Sequence, residues 1–183
     1  AALAGVDFSA ELAASVLEEH PLDLVGAWRE LEAAQMVRDE AFAHDLIVEA
    51  TLRSVPRPIA QVLHKSIGSF LEQHGAPAAR VAHHWFEAAE WYRAAQQYNA
   101  AARVSFNASR FPEAGEHFRR AADCFERAGA QGEQHSALQE LAGCQIKAFD
   151  LTGAREVAEL LLRISADEAQ HGWALDRLID TLN

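Results

Sequence analysis

"WYRAAQQYNAAARVSFNASR" (residues 91–110) runs directly into "FPEAGEHFRRAADCFERAGA" (residues 111–130), and the two segments share one pattern. Each reads aromatic-x-x-Ala-x-x-x-aromatic-x-x-Ala-Ala, once from Trp91 and again from Phe111. The 20-residue step extends beyond them. Trp91, Phe111 and Leu151 fall in one row, and Ala94, Ala114 and Ala154 in a second, where Gln134 is the exception. Tyr98, Phe118, Leu138, Ala158 and Leu178 form a third row that reaches back to Ala78, and Ala82, Ala102, Ala122, Ala142, Leu162 and Leu182 a fourth. A step of this length is about one helix of four to five turns plus a tight turn. Two steps give a helical hairpin of about 40 residues, as in helical-repeat arrays. Small residues at fixed positions let neighbouring helices approach, and the large residue opposite fills the groove. Nine of the fifteen aromatic residues fall between Trp85 and Phe125, so the start of the array is its most tightly specified part.

Upstream the rhythm differs. Leu12, Val16 and Leu17 share one helical face, and after His20–Pro21 a second helix carries Leu24, Val25, Trp28 and Leu31. Met36–Val37 and Ala41–Phe42–Ala43 flank the polar Asp39–Glu40, which predicts a short two-stranded hairpin. Helix returns at Leu46 and stops near "SVPRP", where two prolines forbid continuation. Ile59, Val62, Leu63, Ile67, Phe70 and Leu71 mark an amphipathic helix closed by Gly75, with Pro77 opening the next element. The expected fold is all-α: a small winged-helix-like module with a short β-hairpin at 1–55, a helical connector at 56–90, and an α-solenoid of tetratricopeptide-like (TPR-like) hairpins at 91–183.

Composition narrows the function classes. At 183 residues with 50% apolar and 23% charged residues the chain is globular. No apolar stretch is long enough to cross a bilayer and no secretory signal is visible, which predicts a cytoplasmic protein with no membrane contact. The opening "AALAGVDFSAELAASVL" is already helical in rhythm and reads as part of a longer protein. Cys124 and Cys144 lack metal-ligand spacing and read as buried reduced thiols. The net charge is −11, and residues 1–50 hold eleven acids against Arg29 and Arg38 alone. So acidic a surface repels a phosphate backbone and argues against direct DNA contact by this segment.

His44 is the most informative single residue. It stands where "FAHDLIVEAT" (residues 42–51) leaves an apolar strand and enters a helix. Exposed N–H groups and the macrodipole make a helix N-terminus favourable to anions, phosphate above all. A His there adds a donor, and Asp45 is expected to cap the helix through its carboxylate. The alternative is a plain helix cap with His44 filling a surface notch. His83, His84 and Glu87 share helical spacing, but a metal site needs further ligands from His64 or His74 on another helix, so structural histidines are the expectation. No GxxxxGK[ST] loop and no Gly-x-Ser-x-Gly elbow occurs, so no catalysis is expected of this segment. Gln96–Gln97, Asn99, Arg103, Asn107 and Arg119–Arg120 are candidates for a concave binding face, against the reading of a solvated surface.

"AFAHDLIVEA" resembles the Met-His-Asp motif in the winged-helix part of STAND signal-transduction ATPases, which include bacterial regulators of the LuxR and SARP types. His44 and Asp45 match, and Ala43 stands where Met is usual. "HKSIGSFLEQHGAPAARVAHHWFEAAEWYRAAQQYNAAA" is similar to the segment that joins that module to the repeats in the bacterial regulators. The resemblance implies that His44 contacts the β-phosphate of ADP in an intact parent protein, whose ADP- or ATP-binding core lies upstream of this segment. It implies a regulatory and sensor segment in transcription regulation, with a protein, peptide or small effector on the repeats. The segment itself would hold no cofactor and no metal. Two further readings stay open: a freestanding helical scaffold for protein–protein interaction, and a parent whose output is a cyclase or kinase.

Overall fold

The computed structural model describes residues 2–38, 41–165 and 168–182. The fold is all-α, with one two-stranded sheet among the described residues. The order is α1 (Ala10–Leu17), α2 (Leu24–Ala33), β1 (Val37–Arg38), β2 (Ala41–Phe42), α3 (Asp45–Ser54), α4 (Arg57–Gln73) and α5 (Ala78–Glu87). Then follow α6 (Trp91–Asn107), α7 (Phe111–Arg127), α8 (Gln131–Lys147), α9 (Leu151–Ile164) and α10 (Glu168–Leu182).

The chain forms two compact units, Ala1–Ala76 with Glu87–Ala89 and Pro77–Phe86 with Glu90–Asn183. The segment 56–90 read as a connector is thus shared, α4 going to the first unit and most of α5 to the second.

The first unit has the helix, helix, hairpin, helix order of the expected winged-helix-like module. Ser9 caps α1, its Oγ accepting from Leu12 N–H at 3.1 Å, and Leu12 is buried. In the hairpin Val37 pairs with Phe42 and Arg38 with Ala41, while the expected turn at Asp39–Glu40 lies outside the described residues. Pro56 ends α3 and Pro58 sits in the first turn of α4, where no N–H is missed. Gly75 closes α4 at φ +67°, its N–H donating to Glu72 O while Ala76 N–H reaches back to Leu71 O. The apolar stripe of α2 is less buried than its periodicity predicts. None of its residues is fully buried, and the ring of Trp28 stacks on Phe8 at 5.6 Å. Val6, Leu17, Leu22, Leu46, Ile59 and Val62 are also exposed.

In the second unit the helices start at Trp91, Phe111, Gln131 and Leu151, so the 20-residue step of the sequence is the step of the structure. Each three-residue connection has the same form. Ala89, Ser109, Gly129 and Phe149 take φ between +59° and +73°. The next N–H then reaches back six residues' span: Glu90 to Trp85 O, Arg110 to Ser105 O, Ala130 to Phe125 O and Asp150 to Gln145 O, at 2.8–3.0 Å. At the last three turns Ser109, Gly129 and Phe149 N–H also donate to Phe106, Glu126 and Ile146 O, completing the paired bonds of a Schellman closure, which satisfies carbonyls that a helix end leaves open. Ala94, Ala114 and Ala154 are buried, as are Tyr98, Phe118, Leu138 and Ala158. Ala82, Ala102, Ala122 and Ala142 are buried too; Leu162 is half-buried, and Leu161 takes the inner place in α9. Positions 85, 105, 125 and 145 are buried and alternate between aromatic and polar: Trp85, Ser105, Phe125, Gln145. Among the described residues no helix is long and apolar enough to cross a membrane.

Candidate functional site

The hairpin delivers His44 to the N-terminus of α3. Ala43 N–H still pairs with Met36 O at 3.0 Å, so the chain remains extended through His44, at φ −148° and ψ 142°. His44 therefore holds the N-cap position, with an exposed ring that makes no capping hydrogen bond. Asp45 is the first helical residue, one place too far along to cap: a capping side chain must leave from the extended residue before the helix. The Asp45 cap expected from the sequence is thus replaced by a carboxylate in the first turn, aligned with the positive end of the helix dipole.

His44 lines an open concavity of about 320 Å³ with Glu32, Gln35, Val37, Arg38 and Ala43. Arg38, on β1, is the cationic companion that the sequence reading did not single out. The strand register pairs Arg38 with Ala41 at the turn end of the hairpin, and it is the shared concavity, not the register, that brings Arg38 and His44 to one place. Glu32, which accepts from Trp28 Nε1 at 3.1 Å, forms an acidic part of the wall. An imidazole, a guanidinium and the free N–H groups that begin any α-helix are together suited to an anionic oxygen group.

The histidines proposed as possible ligands have other surroundings. His84 is buried and His83 exposed, their rings meeting edge to face at 5.3 Å. His64 is buried, and His74 Nδ1 donates to Phe70 O at 2.7 Å. Among the described residues no group of three or more His, Cys, Asp or Glu has metal-site geometry.

On the repeats Arg119 and Arg120 are not a loose basic patch. Both donate to Glu116 at 3.0 Å, and the Arg120 guanidinium lies 5.8 Å from the Tyr98 ring. Gln96, Arg103 and Asn107 are exposed. His117 is stacked on Tyr98, and burial lowers its pKa against the opposing pull of Glu113. Glu113 also accepts from buried Ser105 at 3.1 Å. Cys124 and Cys144 are fully buried free thiols whose pKa values burial pushes up to about 11, which removes them from thiolate chemistry near neutrality.

Gln145 and Asp150 form a polar pair that the sequence reading missed. Gln145 Nε2 donates to Asp150 Oδ2 at 3.4 Å, and Asp150 Oδ1 accepts from Gly153 N–H at 3.0 Å, capping α9. A Ser, Thr, Asp or Asn three residues before a small residue is the signal that would have found the cap. Compared with known protein families, curated proteins and solved structures, the chain matches none.

Proposed function

We propose that this chain is the regulatory segment of a bacterial STAND-type transcriptional regulator, acting in the cytoplasm. Its first unit would close an upstream ATPase module of the same protein, and its repeats would bind an effector or partner. The observation that carries the reading is the placement of His44. A strand exit puts the ring at the N-terminus of α3 beside Arg38, which suits the β-phosphate contact that the family resemblance implies. The exposed apolar residues of the first unit, with the half-buried face of α2, are consistent with a further module covering them. Support lies in this local geometry and in the order of elements, not in overall sequence likeness.

In this reading ADP holds the protein off through His44. Effector on the repeats favours the released state by binding it more tightly, which is what any coupling between the two sites requires. The parent would take ADP and ATP, while this segment carries no catalytic group and makes no DNA contact of its own.

The test is the nucleotide content of the native-length protein, wild type beside His44→Ala. Wild type purified with ADP and a variant that loses it would support the phosphate contact. Equal nucleotide in both proteins, or none in either, would sink it. The second reading, a TPR-like interaction scaffold without nucleotide, draws on the regularity of the second unit and is favoured by the latter outcome.

A further inference from the structure

At the seam between α6 and α7 the half-exposed Tyr92 ring meets Phe125 edge to face at 5.7 Å. One 20-residue step later the corresponding residues of α7 and α8 are Pro112 and Gln145, and Gly115 stands where α6 buries Ala95. Each exchange removes bulk. The seam opens into a cavity of about 270 Å³ bounded by residues that include Pro112, Gly115, Leu141, Gln145 and Asp150. Helix packing does not demand the glycine. A Cβ on Gly115 would lie 3.4 Å from Leu141 Cδ1 and 3.6 Å from Cys144 Cβ, ordinary contact distances. With Pro112 and Gln145 in place of the rings of Tyr92 and Phe125, this seam carries less side-chain volume than the one before it.

The polar side chains at this cavity are Glu116, Arg119, Gln145 and Asp150. The Asp150 carboxylate is fixed by Gly153 N–H and by Gln145 Nε2, and among the described residues it makes no ion pair. Gln145 is buried, and with its nitrogen turned to the carboxylate its Oε1 has no hydrogen-bond partner. The opposite amide orientation would set oxygen against oxygen. The one cation at the wall, Arg119 among the described residues, is already held by Glu116 at 3.0 Å. What is missing is a donor with positive charge and a compact apolar body.

We infer that the α7–α8 cavity binds a protonated amine carrying a short apolar or aromatic group. The ammonium meets Asp150, with Gln145 Oε1 beneath it, and the body occupies the volume that Tyr92 and Phe125 take one seam earlier. The amine belongs either to a small molecule or to a lysine side chain, which present the same group. The inference gives the effector role proposed above a place and a ligand class. It rests on that role for the repeats but not on the nucleotide switch, and its test contains no nucleotide.

The test is isothermal titration of the 183-residue chain with benzylammonium, benzyl alcohol, phenylacetate and N-acetyl-lysine methylamide. Benzylammonium should saturate one site, about tenfold or more tighter than the neutral alcohol, with phenylacetate not binding. Asp150→Asn should remove most of that preference. Pro112→Tyr with Gln145→Phe copies the α6–α7 seam, so it should fold, melt higher and lose the site. Should that pair fail to fold, Asp150→Asn alone decides. Tighter binding of benzylammonium than of the lysine derivative assigns the site to a small molecule, and the reverse assigns it to a peptide. No saturation, equal affinity for the alcohol, or binding unchanged by these variants overturns the inference.

Discussion

Arg127 lies 5.5 Å from the centroid of Phe86, and one repeat later Lys147 holds the same station over Phe106 at 5.8 Å. Each cation covers a second ring as well, Trp91 at 4.7 Å and Phe111 at 5.6 Å, and each ring pair meets edge to face. A side chain near the end of one helix therefore ties together the two helices before it. Such contacts contribute about 0.5–1 kcal/mol each at exposed sites, and the long stem adds packing. Arg127→Ala should cost about 1 kcal/mol in urea unfolding, while Arg127→Lys should retain most of it. Equal losses in both would assign the effect to the guanidinium plane and not to its charge.

The turns offer a second measurement. Ala89, Ser109 and Phe149 hold a left-handed backbone that favours glycine, and Gly129 alone supplies one among these four. Phe149 is 90% exposed, so its replacement forfeits little packing. Phe149→Gly and Ala89→Gly should each stabilise the chain by up to about 1 kcal/mol, and Gly129→Ala should destabilise it by about as much. A stabilising Gly129→Ala in thermal or urea unfolding would contradict the shared closure.

Gly153 is needed for a different reason. A Cβ there would overlap the Asp150 carboxylate and the Gln145 amide. Gly153→Ala should destabilise by about 1–3 kcal/mol, and Asp150→Ala by about 1 kcal/mol through the lost cap. The double variant should fall short of the sum, since removing the carboxylate relieves part of the clash. Additive losses in a double-mutant cycle would separate the two.

The buried thiols give the chain an alkaline limit. Folding raises the pKa values of Cys124 and Cys144 from 9.0 to about 11, so between those values the unfolded chain releases protons that the folded one keeps. Their contribution is fully present below pH 9 and is lost as pH rises toward 11. Urea midpoints should fall across that window, and Cys124→Ala with Cys144→Ala should flatten that part of the fall. Maleimide should label neither thiol at neutral pH until denaturant is added.

The repeat was legible because burial imposes it on residue type: Ala94 and Ala114 are small for the same reason, close helix approach. The hairpin was legible from Met36–Val37 and Ala41–Phe42 around a polar pair. At α3 the reading ran one residue late, since Asp45 is the better capping type and nothing local shows that strand pairing carries His44 into the cap position. Gln145 and Asp150 escaped notice because their contact depends on the turn between them. The exposure of α2 escaped too, because periodicity tells which face is apolar and not what lies against it.

The buried alternation of Trp85, Ser105, Phe125 and Gln145 sets a rule for changes in length. Arg110 and Ala130 have nearly the same backbone angles, so excision of residues 111–130 would rejoin the chain without a kink. It would nevertheless remove buried Phe125 and bring the polar Ser105 and Gln145 into succession. Within the stretch from 85 to 145, excising one helix should therefore cost more stability than excising two, which keeps the alternation.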